Sequence, residues 1–328
     1  MTTVTDILPI SGSRIEAIDR DSNLRISKSL ALFDTIRIPY PRHVETQSKI
    51  DYVHRLGIET PGPKKGLRIL GESGQGKTTC AHDYMRLCQA EEGDALPVFS
   101  TDGNEDSCPK SKRVIYVALE NGTTARGLMV SILQSLGDPF WNRGSEALLR
   151  SRALDIIRNR RIELIIIDEV QHLNSRGSSG FDVTDTLKNF LDKGVAPVVF
   201  MGTLEARPLF ERNLQLNGRL LPPGDLQVLT TSVDDQKLLR GFCRQLDIQI
   251  VEKGLLPKRS NLEDPKILAS LYEVSGGVIG RVVRLTHAAL ESALRRGADW
   301  IETYDLALAV DRWAIPQGFV KRNPFAST

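Results

Sequence analysis

The sequence predicts an α/β fold, a parallel sheet flanked by helices, followed by an all-helical domain. Three observations predict it. Short apolar, β-branched runs alternate with longer helical stretches from Leu67 to Thr230; only helical patterns remain after Ser232; and a glycine-rich turn joins the first apolar run to the first helix of the alternating part. Strands that are apolar on both faces belong to a parallel sheet covered by helices on each side. A chain of 328 residues has room for one large domain or two modest ones.

In order along the chain, residues 1–45 carry a modest apolar pattern (Leu24, Ile26, Leu30, Leu32, Phe33) that ends in Ile36-Arg37-Ile38-Pro39-Tyr40-Pro41. The two prolines are expected to stop any helix and leave an extended lead-in. A helical period returns from Glu45 to Leu56, with Ile50, Val53 and Leu56 on one side, and Glu59–Gly66 is a loop by composition. Strands are expected at Leu67–Leu70, Val114–Leu119, Leu164–Ile167 and Pro197–Met201, with a weaker one at Leu226–Thr230. Helices are expected at Thr78–Ala90, Thr123–Leu136, Ser145–Arg158 and Asp182–Lys193. The polar stretch Glu91–Lys112 reads as a long excursion before the second strand. Past Ser232, Val233–Leu246, Pro265–Val274, Val278–Arg296 and Thr303–Trp313 read as helices, broken by Pro257, Gly276-Gly277 and Gly297. The resulting plan is an N-terminal segment (1–45), a core (46–231), a helical lid (232–315) and an irregular tail (316–328). The first 30 residues and the tail are docking candidates by position.

With 43 Lys plus Arg against 41 Asp plus Glu, the net charge is only +2, which argues against coating nucleic acid or lipid by bulk charge. Apolar runs such as Leu164–Ile167 fall far short of the ~20 residues that span a bilayer. The N-terminus lacks the basic start and apolar stretch of a secretory signal. Cys80, Cys88, Cys108 and Cys243 have no metal-ligand spacing, so free thiols in a reducing compartment are expected. These features suggest a soluble cytoplasmic protein with no membrane partner.

The chemistry concentrates in Gly71-Glu72-Ser73-Gly74-Gln75-Gly76-Lys77-Thr78, a GxxxxGK[ST] sequence placed after a strand and at the start of a helix, with Thr79 next. Its glycines let the backbone fold tightly so that its N–H groups surround phosphates. The helix start adds a positive end. Lys77 would reach the β- and γ-phosphates of a nucleotide, and the Thr78 hydroxyl would ligand Mg²⁺. Further on, Leu164-Ile165-Ile166-Ile167-Asp168-Glu169 is a buried strand ending in two carboxylates. Asp168 fits the acid that holds Mg²⁺, and Glu169 the base that polarises an attacking water. ATP is favoured over GTP because no Asn-Lys-x-Asp segment occurs. Thr203, at the tip of the fourth strand, either senses the γ-phosphate or caps the next helix, and the two are compatible. Arg219 and Arg281 are isolated basic residues near element ends.

A P-loop, an Asp-Glu strand, a polar strand tip and a helical domain opening with Gly277-Val278-Ile279-Gly280-Arg281 resemble the plan of the AAA+ P-loop NTPases. The runs Ile167-Asp168-Glu169-Val170-Gln171-His172-Leu173 and Met201-Gly202-Thr203-Leu204-Glu205-Ala206 are similar to the TniB/TnsC family of transposition ATPases. So are the entry Ile38-Pro39-Tyr40-Pro41-Arg42 and the closing Asn323-Pro324-Phe325, so the resemblance spans roughly residues 30–326. It implies that Lys77, Thr78, Asp168 and Glu169 serve ATP, Mg²⁺ and hydrolysis, with Thr203 as first sensor and Arg281 as second. Arg219 would match the arginine supplied to a neighbouring subunit's ATP, although this chain has Gly218-Arg219-Leu220 where family members often carry Arg-Arg-Phe. His172 would pack the turn after the strand.

The resemblance further implies a homo-oligomeric ring or helical filament on double-stranded target DNA, which recruits a transposase, answers to a target selector and is dismantled by ATP hydrolysis. DNA phosphates would be tracked by Thr123, Thr124 and Arg126 at a helix start, with Lys110, Lys112 and Arg113 just upstream; the same residues equally suit an ordinary capped helix. Alternatives are another AAA+ role, such as a helicase loader or a secretion-associated ATPase, and, from a different class, a P-loop small-molecule kinase.

Overall fold

The computed structural model describes residues 19–93, 113–173 and 183–326. Lys110, Lys112 and Cys108 lie outside the described residues, as do most of the Glu91–Lys112 excursion and residues 1–18.

Two helices, α1 (Arg20–Asp34) and α2 (Pro41–Glu59), precede the first strand. The α/β part then runs β1 (Gly66–Leu70), α3 (Lys77–Glu91), β2 (Val114–Ala118), α4 (Ala125–Ser135), α5 (Glu146–Asn159), β3 (Leu164–Asp168), α6 (Val183–Asp192), β4 (Val198–Gly202), α7 (Arg207–Arg212) and α8 (Leu214–Asn217). The four strands form one parallel sheet in the order β1-β4-β3-β2, with Leu67 opposite Val199 and Val117 opposite Ile167. Alternation splits each strand between two apolar layers. Ile165, Ile167, Val198 and Phe200 pack with α4, α5 and α6, while Leu164, Ile166, Val199 and Met201 pack with residues of α2 and α3. Every residue of β3 and β4 is buried, as a sheet covered on both faces requires. This is the α/β architecture the periodicity predicts.

Two expectations need correction. The weaker strand at Leu226–Thr230 does not form. The chain does run beside β1, with the N–H groups of Leu221, Gly224 and Leu226 donating to Gly66, Arg68 and Leu70, each at 2.8 Å. Pro222 and Pro223 lack N–H donors, however, and the Asp225 carboxylate takes the Leu70 N–H (2.9 Å) in place of a backbone carbonyl. Only Leu226 of this stretch bonds β1, at its last residue Leu70. Second, the non-helical lead-in expected before the prolines forms over residues 36–40 after α1 stops at Asp34, but Pro41 itself then starts a helix. It occupies the first turn of α2, where a missing N–H costs nothing.

The helical part comprises α9 (Val233–Glu252), α10 (Pro265–Ser275), α11 (Ile279–Arg295) and α12 (Thr303–Ala309), the last continued by a wider turn over Val310–Ala314. Its core gathers Leu246, Ile250, Leu271, Leu285 and Leu290. The segment before α2 joins this core, since Phe33 stacks edge-on against His287 (5.5 Å) and Tyr40 against Phe242 (5.9 Å). Phe325 in the tail is buried there too, and Asn323 ties the tail to Ala307 and Asp311 at 2.8 Å. Cys80, Cys88 and Cys243 are buried free thiols. No helix among the described residues is long and apolar enough to cross a membrane.

Candidate nucleotide site

The turn between β1 and α3 has the backbone its glycines allow. Gly74 and Gly76 both sit at φ +86°, in the left-handed region. At Gly76 space forbids a side chain as well, because a Cβ would lie 2.5 Å from the His43 ring. His43, in the first turn of α2, bonds the Gln75 carbonyl through Nε2 at 2.7 Å. A carbonyl only accepts, so Nε2 carries the proton, and burial holds the His43 pKa below its usual value. Gln75 is buried and its Nε2 has no partner among the described residues, whereas Glu72, Ser73 and Thr79 are exposed.

Lys77 is the first residue of α3 and is buried to 7% exposure, with Nζ donating to the carbonyls of Gly71 (2.8 Å) and Glu72 (3.1 Å). Burial lowers its pKa, while the nearby carboxylates of Asp168, Glu169 and Glu72 oppose the shift. Asp168, at the end of β3, is fully buried. Its Oδ2 accepts from the Thr78 hydroxyl and the Tyr116 hydroxyl, each at 2.7 Å, and its Oδ1 from the Glu169 N–H at 2.8 Å. The Thr78 hydroxyl and a fixed carboxylate on one spot, beside a phosphate-binding loop, fit Mg²⁺, which takes one or two protein oxygens and completes its shell with phosphate and water. Glu169 follows at φ +60°, a conformation uncommon for a side-chain-bearing residue, and its Oε2 accepts from Gln171 Nε2. At the tip of β4, Thr203 donates its N–H to Gln171 Oε1 (3.0 Å), while its own hydroxyl is buried with no partner among the described residues.

The helical part touches this site by backbone. The Gly280 N–H, in the first turn of α11, donates to the Gly74 carbonyl at 3.0 Å, and the Leu229 N–H donates to Gly277 at 2.9 Å. Arg281 lies on that same turn, but its guanidinium bonds the Ser275 carbonyl (3.1 Å) and stacks 4.3 Å over Phe319. Arg219 stands elsewhere. Its carbonyl accepts from Gly66, at the start of β1, so the length of β1, about 13 Å at ~3.3 Å per residue, separates it from the P-loop of its own chain. Its guanidinium forks onto both oxygens of Asp192.

The described residues among those expected to meet DNA do not gather in one place. Thr124 caps α4 by accepting the Gly127 N–H (3.1 Å), the buried Thr123 hydroxyl donates to the Glu120 carbonyl, and exposed Arg126 donates to Asn142 (2.8 Å). Arg113 lies at the opposite end of β2, where its carbonyl accepts from Glu163 and its guanidinium is 3.8 Å from the Glu163 carboxylate.

Sequence reasoning missed three contributors: His43 under the glycine turn, Tyr116 on Asp168, and Gln171 between Glu169 and Thr203. None had a local signal except Gln171, which lies inside a motif already noted.

A glycine-rich turn between a strand and a helix, an Asp-Glu strand tip and a helical part whose backbone bonds the turn now stand together. Residues 63–210 match the family described as AAA domain. The fold is that of an AAA+ P-loop NTPase. Similar solved structures include Cdc6p from Pyrobaculum aerophilum, with a TM-score of 0.61 at 15% identity, covering 86% of this chain and 70% of that one. The Aeropyrum pernix ORC1 protein in complex with DNA gives 0.59 at 16% identity, with 86% and 68% covered. The Aeropyrum pernix ORC2 protein in its ADPNP-ADP complexes gives 0.58 at 18%, with 86% and 71% covered. Likeness at these identities establishes a shared AAA+ fold. No curated protein matches the chain at a significant level.

Proposed function

We propose that this protein is an AAA+ ATPase that assembles on double-stranded target DNA when loaded with ATP and Mg²⁺, and that it regulates DNA transposition from the cytoplasm. One observation carries the ATPase reading: Lys77, Thr78, Asp168, Glu169 and Thr203 meet at one end of the sheet, while Arg219 is held at the other. The loop N–H groups and the start of α3 bind the phosphates, and Lys77 neutralises charge on the β- and γ-phosphates. Thr78 and Asp168 hold Mg²⁺, which supplies further neutralisation of phosphate charge. Glu169 takes the proton of the attacking water, and the unpartnered Thr203 hydroxyl meets the γ-phosphate side.

Arg219 is too far from its own P-loop to act there, and this supports a role toward a neighbouring subunit in a ring or filament. Arg281, on the turn that touches Gly74, reaches nucleotide by leaving Phe319. The start of α4, with Thr123, Thr124 and Arg126, meets DNA phosphates; Arg113, at the other end of β2, is not part of that contact, and the expectation for Lys110 and Lys112 lies outside the described residues. With a net charge of +2, one subunit holds DNA weakly, and assembly multiplies those contacts. The TniB/TnsC-like runs around Asp168 and Thr203 support transposition as the process, with a transposase and a target selector as partners. The DNA-bound ORC1 neighbour favours a second reading, an initiator-like AAA+ role with the same motor and a different partner.

The test is electron microscopy of the Glu169→Gln variant with ATP and duplex DNA, in parallel with phosphate release by the wild type. DNA-threaded oligomers and a variant that retains ATP are expected. Absence of any such oligomer at moderate salt would sink the DNA reading, a phosphorylated acceptor in place of free phosphate would point to the kinase, and capture of the cognate transposase separates the two AAA+ roles.

A further inference from the structure

The turn after β3 carries a side chain that the hydrolysis reading leaves without a task. Gln171 lies in a one-turn 3-10 helix, Val170–His172, immediately beyond the Asp168-Glu169 pair. Its amide makes two bonds in opposite senses. Nε2 donates to Glu169 Oε2, and Oε1 accepts the Thr203 N–H at 3.0 Å. One planar group therefore joins the carboxylate that meets water to the tip of the neighbouring strand.

The surroundings are built for this bridge. A Cβ at Gly202 would stand 2.6 Å from Gln171 Oε1 and 2.9 Å from Val170 Cγ2, so the glycine at the end of β4 makes room for the amide. Glu169 adopts φ +60°, and the same turn bonds the Glu169 carbonyl to the His172 N–H at 2.9 Å. The turn is pinned from the other side, because His172 Nδ1 meets the Leu119 carbonyl at 3.0 Å and the His172 carbonyl accepts the Thr123 N–H at 3.0 Å. With both flanks fixed, the Gln171 side chain spans a defined gap. A carboxylate would accept at both ends, an aliphatic chain would do neither, and asparagine is one methylene too short; only an amide of this length donates to Glu169 while accepting from Thr203.

We infer that Gln171 is a positioning residue for Glu169: its amide ties the water-activating carboxylate to the β4 tip that carries Thr203, so the setting of that tip determines where the base stands. The inference rests on Glu169 being the base. A general base works only within hydrogen-bond reach of the proton it takes, so loosening it slows the chemical step and leaves nucleotide binding intact.

The experiment measures kcat for phosphate release and the Kd of a mant-labelled ATP for Gln171→Leu and Gln171→Glu. Each variant is also combined with Glu169→Asp, whose shorter carboxylate withdraws from the amide. Gln171→Glu keeps size and reach and loses only the donor, so it decides the matter if the leucine variant fails to fold. Expected for each single variant is a kcat about 10- to 100-fold lower, the usual effect of removing an outer partner, with Kd within about twofold. In the Glu169→Asp background the further loss is expected to be under about threefold, because the bond is already gone. A kcat within twofold of wild type, a Kd that loosens in step with kcat, or a full multiplicative loss in the Glu169→Asp background would each overturn the inference. Glu169→Gln, run alongside, separates the two failures: if it hydrolyses ATP at the wild-type rate, the base assignment fails; if it is inactive while Gln171→Leu is unimpaired, only the role of Gln171 fails.

Discussion

The α/β core and the helical lid both bury polar groups, but they complete them differently. In the lid the networks are closed. Asp247 is fully buried and accepts the N–H groups of Ser260 (2.8 Å) and Asn261 (2.9 Å), and Asp305 accepts Ser292, Arg296 and the Glu302 N–H. Thr286 returns its hydroxyl to the Val282 carbonyl at 2.9 Å. In the core several buried polar groups at the P-loop end of the sheet are left open: among the described residues Gln75 Nε2 and the Thr203 hydroxyl have no partner, and Lys77 bonds carbonyls of its own loop. Closed networks hold a shape, since every buried donor and acceptor is satisfied at folding. Open ones leave capacity that a ligand can complete.

The contrast breaks most visibly at Lys77. Lys77→Ala should lower phosphate release by roughly 100-fold or more and abolish ATP-dependent DNA association, while the thermal midpoint stays close to wild type. A large fall in the midpoint instead would place Lys77 among the closed, structural groups. The seam between the two regions comes next. A Cβ on Gly280 would lie 2.3 Å from the Gly74 carbonyl oxygen, so Gly280→Ala should strain the lid against the P-loop. The expected cost is about 1–3 kcal/mol, with weaker ATP binding and faster proteolysis between core and lid; unchanged nucleotide affinity would show that the lid does not report to the site. In the lid itself, Asp305→Asn should cost about 2 kcal/mol of stability, because charge-assisted bonds to Arg296 and the Glu302 N–H are weakened. Turnover per folded molecule should not change, and a fall in kcat with unaltered melting would erase the difference between the two regions.

The smallest effect concerns pH. Burial depresses the pKa values of His43, His54 and His82, in the case of His54 against the pull of Glu163. A depressed histidine binds fewer protons in the folded chain than in the unfolded one. The stability it allows is therefore fully present above the unfolded value of about 6.5 and is lost as pH falls through that value toward the folded pKa. The thermal midpoint should decline as the pH falls below about 6.5, and His43→Gln should flatten that decline. A midpoint that rises on acidification would contradict the directions of all three shifts.

Much of this molecule is legible from single-residue patterns. Apolar runs located β1 to β4 within a residue or two, because a strand buried on both faces tolerates little else. Helix starts were visible at Thr124 and Ser145 because capping hydroxyls precede them. The expectation failed where long-range partners decide. Leu226–Thr230 has the composition of a strand, but Pro222 and Pro223 upstream offer no N–H and the Asp225 carboxylate takes the Leu70 N–H that a ladder would use. Residues 20–40 looked separate because Phe33 and Tyr40 find their partners, His287 and Phe242, only across the fold.

The site divides along the same line. The glycine turn, Lys77, Thr78 and the Asp168-Glu169 pair were readable because their chemistry depends on residues adjacent in the chain, and adjacency survives into the sequence. Tertiary structure alone decided that His43 fills the space beside Gly76, that Tyr116 completes Asp168, that Gln171 bridges to Thr203, and that Arg219 stands a strand's length from its own P-loop. A side-chain bond across two strands depends on sheet order and register, which are set by the packing of the whole core and not by any run of neighbouring residues.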